Sequence, residues 1–283
     1  MVYKRISPIK SLAPFIEGIW IQEDEMYNPS IRYSPTKILP TTTFDLAFTY
    51  GDLFFECENS KKNTLSDFHL VGQRTKPSLI GVSGKTGVIL VKFYPWGVAP
   101  FLKVPLSELT NQVVDLEFLF EKHSVSIFRE SLLDAKTPDI SAKIIQRFLT
   151  ELLIHDKIDP LIFQSIRIIN EGFGKIKVSE LAKILNVSRR HLSRKFMSAI
   201  GISPKKFSSI IRFQKALFLQ TNGVLTTEVM HHCGYYDQAH MISEFKEFSN
   251  TTPKFITKSK GTELMNYFNT QYKLSHLYNT TYM

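Results

Sequence analysis

The spacing of apolar residues changes partway along the chain. Over residues 1 to about 110 they alternate with polar residues in short runs. In TFDLAFTYGD, Phe44, Leu46, Phe48 and Tyr50 are separated by Asp45, Ala47 and Thr49, the period of two of a half-buried strand that ends at a Gly-Asp turn. GVILVKFYPWG, from Gly87 to Gly97, is a β-rich apolar run stopped by Pro95 and Gly97, and HLVGQ and LIGVSG between them are short strands punctuated by glycine. Short strands with turns at this spacing predict a small sandwich or barrel.

Helical spacing takes over after Pro105. PLSELTNQVVDLEFLFEK begins with a proline suited to a first helical turn. DISAKIIQRFLTELLIH puts Ile140, Ile144, Ile145, Phe148, Leu149, Leu152 and Leu153 on one broad stripe, suited to packing on its own domain or to a dimer contact. From about residue 158 the pattern is continuously helical. The fold class expected is therefore α+β: a small N-terminal β-sandwich or barrel with flanking helices, then an all-α domain. Residues 1–157 form the first domain, 158–260 the second and 261–283 a tail rich in Tyr and Asn.

The helical half repeats itself. HLSRKFMSAIGISPKKF overlies HMISEFKEFSNTTPKFI at a shift of 49 residues, with His191 on His240, Leu192 on Met241, Phe196 on Phe245, Gly201 on Asn250 and Pro204 on Pro253. Each copy reads as helix, tight turn, helix. In the first, Val178, Leu181, Ala182 and Leu185 form an apolar stripe, Asn186 takes the turn and Ser188 caps the second helix. In the second, Gly234 takes the turn and Asp237 the cap. Between the copies, Ser203 caps and Pro204 opens a helix running to about Gln220 and closed by Asn222-Gly223, a rigid spacer of about 24 Å at 1.5 Å per residue.

Charge adds a feature that periodicity leaves out. Lys157 to Lys260 holds 17 basic and 7 acidic residues, a balance of +10, and the rest of the chain is −1, so the net +9 belongs to one segment. A localised basic domain is the electrostatic footprint of a nucleic-acid partner. Within the second helix of the first copy, Leu192, Phe196 and Ile200 face inward while Arg190, Ser193, Arg194 and Met197 face outward together. Arginine reaches guanine O6 and N7 bidentately or grips phosphate. The second copy sends Met241, Phe245 and Phe248 inward and Gln238, Ala239, Ile242 and Ser243 outward, a nearly neutral face suited to adenine and thymine methyls. The candidate DNA contacts are Arg189, Arg190, Ser193, Arg194, Met197, Gln238, Ala239, Ile242 and Ser243.

Other chemistry is sparse. Cys57 and Cys233 have no CxxC partner, no P-loop, GxSxG or HExxH occurs, and His231-His232 has no ligand-spaced carboxylate. Before residue 120 only His69 occurs, against the clustered histidines that a metal-dependent cupin requires. Neither a cofactor nor a metal nor an enzymatic activity is expected. No signal peptide or membrane span is read, so the location expected is the cytoplasm. Phe93, Tyr94 and Trp96 are read as ordinary core, with a pocket lining as the alternative.

At LAKILNVSRRHLSRKFMSAIGISPKKF, IRFQKALFLQ and CGYYDQAHMISEFKEFSNTTPKF the chain resembles the AraC family of bacterial transcription regulators over roughly 100 residues. The resemblance implies a seven-helix domain whose third and sixth helices read promoter bases, activation of transcription with RNA polymerase as partner, and an N-terminal sensor half, here similar to a cupin-like β-domain. A small-molecule effector of unknown identity and a homodimer are the further partners implied. Met230 stands where the family has alanine and Asn250 where it has glycine, which predicts looser packing in the second copy. The alternative is a non-sensing protein whose N-terminal domain binds a protein partner and whose basic half recruits it to DNA.

Overall fold

Most of the alternating runs become strands. A computed structural model describes residues 2–23, 35–59, 61–82, 84–155 and 157–256. The chain divides into two compact units. Among the described residues, the β unit takes those up to Pro35, those within Thr43–Gln73 and those within Leu79–Ile158; the helical unit takes those from Asp159 to Ile256 together with Thr36–Thr42 and Arg74–Ser78.

The strands, in chain order, are β1 (Val2–Ile6), β2 (Ile16–Glu23), β3 (Thr36–Ile38), β4 (Asp45–Gly51), β5 (Phe54–Glu58), β6 (Lys61–Thr64), β7 (Phe68–Val71), β8 (Ser78–Val82), β9 (Thr86–Phe93) and β10 (Val113–Asp115). Six of them form an antiparallel sheet in the order β1-β2-β9-β4-β7-β10. In a second sheet β5 pairs antiparallel with β6 and with β8. Two helices complete the unit, α1 (Lys122–Leu133) and α2 (Pro138–Leu152).

Register puts the apolar residues of β4 and β9 on one face: Leu46 lies opposite Val91 and Phe48 opposite Ile89. That face and the helices share a core in which Phe128 stacks on Phe148 at 4.0 Å and meets Phe48 and Phe68 edge-on. β4 departs from its half-buried expectation, because Ala47 and Thr49 on its other face are buried too. A central strand is hidden on both sides, which alternation alone does not reveal.

The run after Pro105 is a correction. It forms no helix at first, but two 3-10 turns, Leu106–Leu109 and Leu116–Phe118, on either side of β10. Asn111 adopts a left-handed φ of 62°, which interrupts helical continuation, and Val113 and Val114 then pair with Val71 and Leu70 of β7. The helix starts only at Lys122, where the Glu121 carboxylate accepts from the His123 and Ser124 amides. α2 spends its stripe on its own unit: Ile145, Phe148 and Leu149 are buried, and Ile140 stays exposed. Phe93, Tyr94 and Trp96 are core, with the Trp96 indole donating to Pro14 O at 3.0 Å.

The helical unit contains α3 (Pro160–Glu171), α4 (Val178–Ile184), α5 (Arg189–Ala199), α6 (Pro204–Thr221), α7 (Thr226–Cys233), α8 (Gln238–Ser249) and α9 (Pro253–Ile256). Its core is made by Leu181, Leu192, Phe196, Phe207, Ile210, Phe213, Val229, Met241, Phe245 and Phe248, each with no exposed surface. The two short N-terminal segments belong here: Gln214 Nε2 donates to Pro40 O and Lys37 Nζ to Ser249 O, both at 2.9 Å, and Thr41 N donates to Arg74 O at 3.0 Å, joining the second segment to the first. The tail expected from residue 261 lies outside the described residues. No helix among the described residues is long and apolar enough to cross a membrane.

Candidate nucleic-acid interface

Local chemistry fixes two helix-turn-helix pairs. In the first, α4 ends at Leu185, Asn186 turns the chain at φ 53°, and Ser188 Oγ accepts from His191 N at 3.1 Å to start α5. In the second, α7 ends at Gly234, φ 69°, and the Asp237 carboxylate accepts from His240 N at 2.7 Å to start α8. An N-terminal side-chain cap satisfies an amide that the first turn leaves without an intrahelical partner. Ser203 does the same for α6, accepting from Lys206 N.

The apolar stripe of α5 is wholly used. Leu192, Phe196 and Ile200 have no exposed surface, and Phe196 meets Phe207 of α6 edge-on at 5.7 Å. The opposite side is open: Arg189, Arg190, Arg194 and Met197 are exposed and Ser193 is half-buried. Arg194 Nη2 lies 3.2 Å from His191 Nδ1 on the same turn. Lys195 points elsewhere. Its ammonium donates to Asp159 Oδ2 at 2.8 Å, tying α5 to the cap of α3. Burial works against the Asp159 charge, but the bonds from Lys195 and the Leu161 amide outweigh it and hold the carboxyl below its ordinary range.

α8 follows the same plan with a different surface. Met241, Phe245 and Phe248 are buried, Gln238, Ala239 and Ser243 are exposed, and Ile242 is half-buried. No charge stands among the four outward residues. A buried network holds this helix to α6: the Arg212 guanidinium bonds both oxygens of the Glu244 carboxylate, and Tyr235 Oη donates to Glu244 Oε1 at 2.8 Å. Burial disfavours the Arg212 charge, yet the hydrogen bonds and charge of Glu244 overcome it and push its pKa up. Tyr235 is also pushed up, by burial first and then by the Glu244 charge.

Beside α5 runs an open groove of about 850 Å³, whose cationic lining is Lys175, Lys177, Arg189, Arg190, Lys205 and Arg212. Sequence spacing singles out Arg189, Arg190 and Ser193 of this groove and misses Lys175, Lys177 and Lys205. The signal for Lys175 and Lys177 is the GFGKIK turn, in which Gly174 has a positive φ of 73° and a Cβ would overlap Ser208 O. Of the α5 residues named from the sequence, the groove gathers Arg189, Arg190 and Ser193, whereas Arg194 and Met197 are exposed outside its lining; the α8 residues share a separate helix face.

Two protein-family descriptions match the chain: a domain of unknown function, DUF6597, over residues 4–115, and a helix-turn-helix domain over residues 181–259. Among curated proteins, the HTH-type transcriptional regulator MtrA of Neisseria gonorrhoeae is 29% identical over 96 residues, 34% of this chain and 32% of the relative. An uncharacterised HTH-type transcriptional regulator of Haemophilus influenzae is 28% identical over 95 residues, 33% of this chain and 32% of the relative. The matched stretch therefore spans about a third of either relative's length. Among solved structures, ToxT of Vibrio cholerae aligns over 84% of this chain and 98% of its own, at 9% identity and a TM-score of 0.45. A fatty-acid-bound ToxT structure aligns over 84% of this chain and 94% of its own, at 12% identity and a TM-score of 0.40. With two helix-turn-helix pairs in the helical unit and a helix-turn-helix family model matching residues 181–259, the helical unit is a helix-turn-helix domain similar to that of HTH-type transcriptional regulators.

Proposed function

We propose that this protein is a sequence-specific, DNA-binding transcription regulator that reads two successive major grooves, one with α5 and one with α8. The observation that carries the reading is the division of labour on α5, where one face is buried without remainder and the other exposes three arginines. A cationic face on an anchored helix at the second position of a helix-turn-helix is suited to enter the major groove. α6, with 18 residues, is about 27 Å long, a spacer commensurate with grooves about 34 Å apart. Arg190, Ser193 and Arg194, with Gln238, Ala239, Ile242 and Ser243, read bases; Arg189 and Met197 border them. The family resemblance supports activation, with RNA polymerase as the partner at the promoter. The β unit senses a small molecule and carries the contact of a homodimer, which sedimentation of the full chain tests.

Arg194→Ala is the test of the reading. Binding to a selected site is expected to weaken by about 1–3 kcal/mol, with preference relaxed at one base pair in one half of the site. Affinities for a panel of single-base variants at fixed salt provide the measurement. A uniform loss across all sequences would make Arg194 a phosphate contact and remove its reading role.

A further inference from the structure

Inside the β unit, between the large sheet and the α1–α2 connection, lies a cavity of about 140 Å³. Its wall combines the apolar side chains of Ile21, Phe48, Phe68, Ile89 and Leu132 with the polar residues Thr49, Thr137 and Ser141. Tyr50 completes that wall, opposite Gly87 of β9. A Cβ at position 87 would overlap the Tyr50 ring, so glycine is what lets the ring lie against the strand. The rim belongs to the connection between the helices and includes Lys136. That lysine is exposed and makes no hydrogen bond or ion pair among the described residues. Its acidic neighbour Asp139 is occupied by Lys4 at 2.8 Å.

An apolar cavity of about 150 Å³ accommodates a benzene ring. One ring therefore fits this space, with Phe48 and Phe68 offering ring faces and edges to it. Among the described residues, the one unpaired charge at the rim is positive, and it matches a single carboxylate. We propose that this cavity binds a small aromatic monocarboxylate, its ring between the sheet and α2 and its carboxylate at Lys136. The proposal rests on the sensor part of the proposed function and names the chemistry of the molecule sensed.

The test titrates the full chain with phenylacetate and with its uncharged counterpart phenylacetamide, read by calorimetry without DNA. Phenylacetate is expected to bind with a Kd of about 1 mM or tighter. Lys136→Ala, on an exposed turn, is expected to weaken phenylacetate about fivefold and to leave phenylacetamide unchanged. Ser141→Leu, which extends a side chain from α2 into the cavity, is expected to remove binding of both. The proposal is overturned if phenylacetate shows no saturable binding up to about 20 mM, or if Lys136→Ala weakens both molecules equally. A folded Ser141→Leu protein that still binds also overturns it; should that variant not fold, the Lys136 comparison decides. DNA affinity is measured separately with and without phenylacetate. Binding that leaves DNA affinity unchanged counts against the sensor reading and for the cavity.

Discussion

Phe196 shows what one residue contributes to the placement of α5. Its ring has no exposed surface and locks α5 onto Phe207, so the arginines opposite it inherit a fixed orientation. Phe196→Ala is expected to cost about 3–5 kcal/mol of stability, measured by urea unfolding; a variant that unfolds like the parent would show that this contact does not anchor the helix. Cysteine chemistry is equally local. Burial pushes the Cys233 thiol up to about 11, while Cys57 in β5 is half-buried. A thiol reagent at neutral pH is therefore expected to modify Cys57 in the native protein and Cys233 only after unfolding. The same shift has a sign for stability. Between the ordinary thiol value of 9.0 and about 11, the folded state keeps a proton that the unfolded state has lost, so stability falls as pH rises through that window. Tyr235, also raised, acts in the same direction at higher pH. Thermal unfolding between pH 8 and 11 checks the slope.

At the level of elements, legibility tracks how local the determining physics is. Ser188, Ser203 and Asp237 announce helix starts because a cap is a contact between residues three apart, and all three accept the expected amide. The segment after Pro105 misleads because its apolar spacing suits a helix, whereas β10 depends on the open edge of β7 more than forty residues away in sequence. α1 escapes notice for a related reason: its start depends on a Glu121 cap, and its apolar face is short. In the candidate interface, the exposure of one face of α5 is legible from spacing and charge. Lys205 is not, since only the fold carries it beside Arg189 and Arg190. The departure at Asn250 can be settled in the same terms. The residue sits at φ 53° after the last turn of α8, with its amide bonded to Lys246 O at 2.9 Å. Asn250→Gly is expected to change stability by less than about 0.5 kcal/mol, and Asn250→Val to lose about 1–2 kcal/mol, because a β-branched side chain clashes in the left-handed region. Equal melting of all three proteins would show that this turn tolerates any side chain.

Across the whole molecule, the proposed two-groove reading requires the two helix-turn-helix pairs of the helical unit to keep one mutual orientation. The Arg212, Glu244 and Tyr235 network joins α6 to α8 where Phe213 also meets Phe245 and Phe248. Glu244→Gln leaves Arg212 buried with no countercharge, an arrangement that typically costs about 3–5 kcal/mol. Protection of the half-site under α8 is expected to disappear in a footprint before that under α5. Simultaneous loss of both halves would show that Glu244 supports the fold alone and not the relative placement of the pairs.

The uneven charge of the two outward faces also bears on how such a protein finds its site. On the proposed reading, the positive charges of Arg189, Arg190 and Arg194 would release counterions from the duplex, and Gln238, Ala239, Ile242 and Ser243 would release none. On random sequence, travel along the duplex would be borne by the α5 end, with the α8 end dipping in and out as an inspector. Residence would lengthen only where both ends find a sequence they fit, so rising ionic strength would shorten the scanning phase far more than it would blur the final choice.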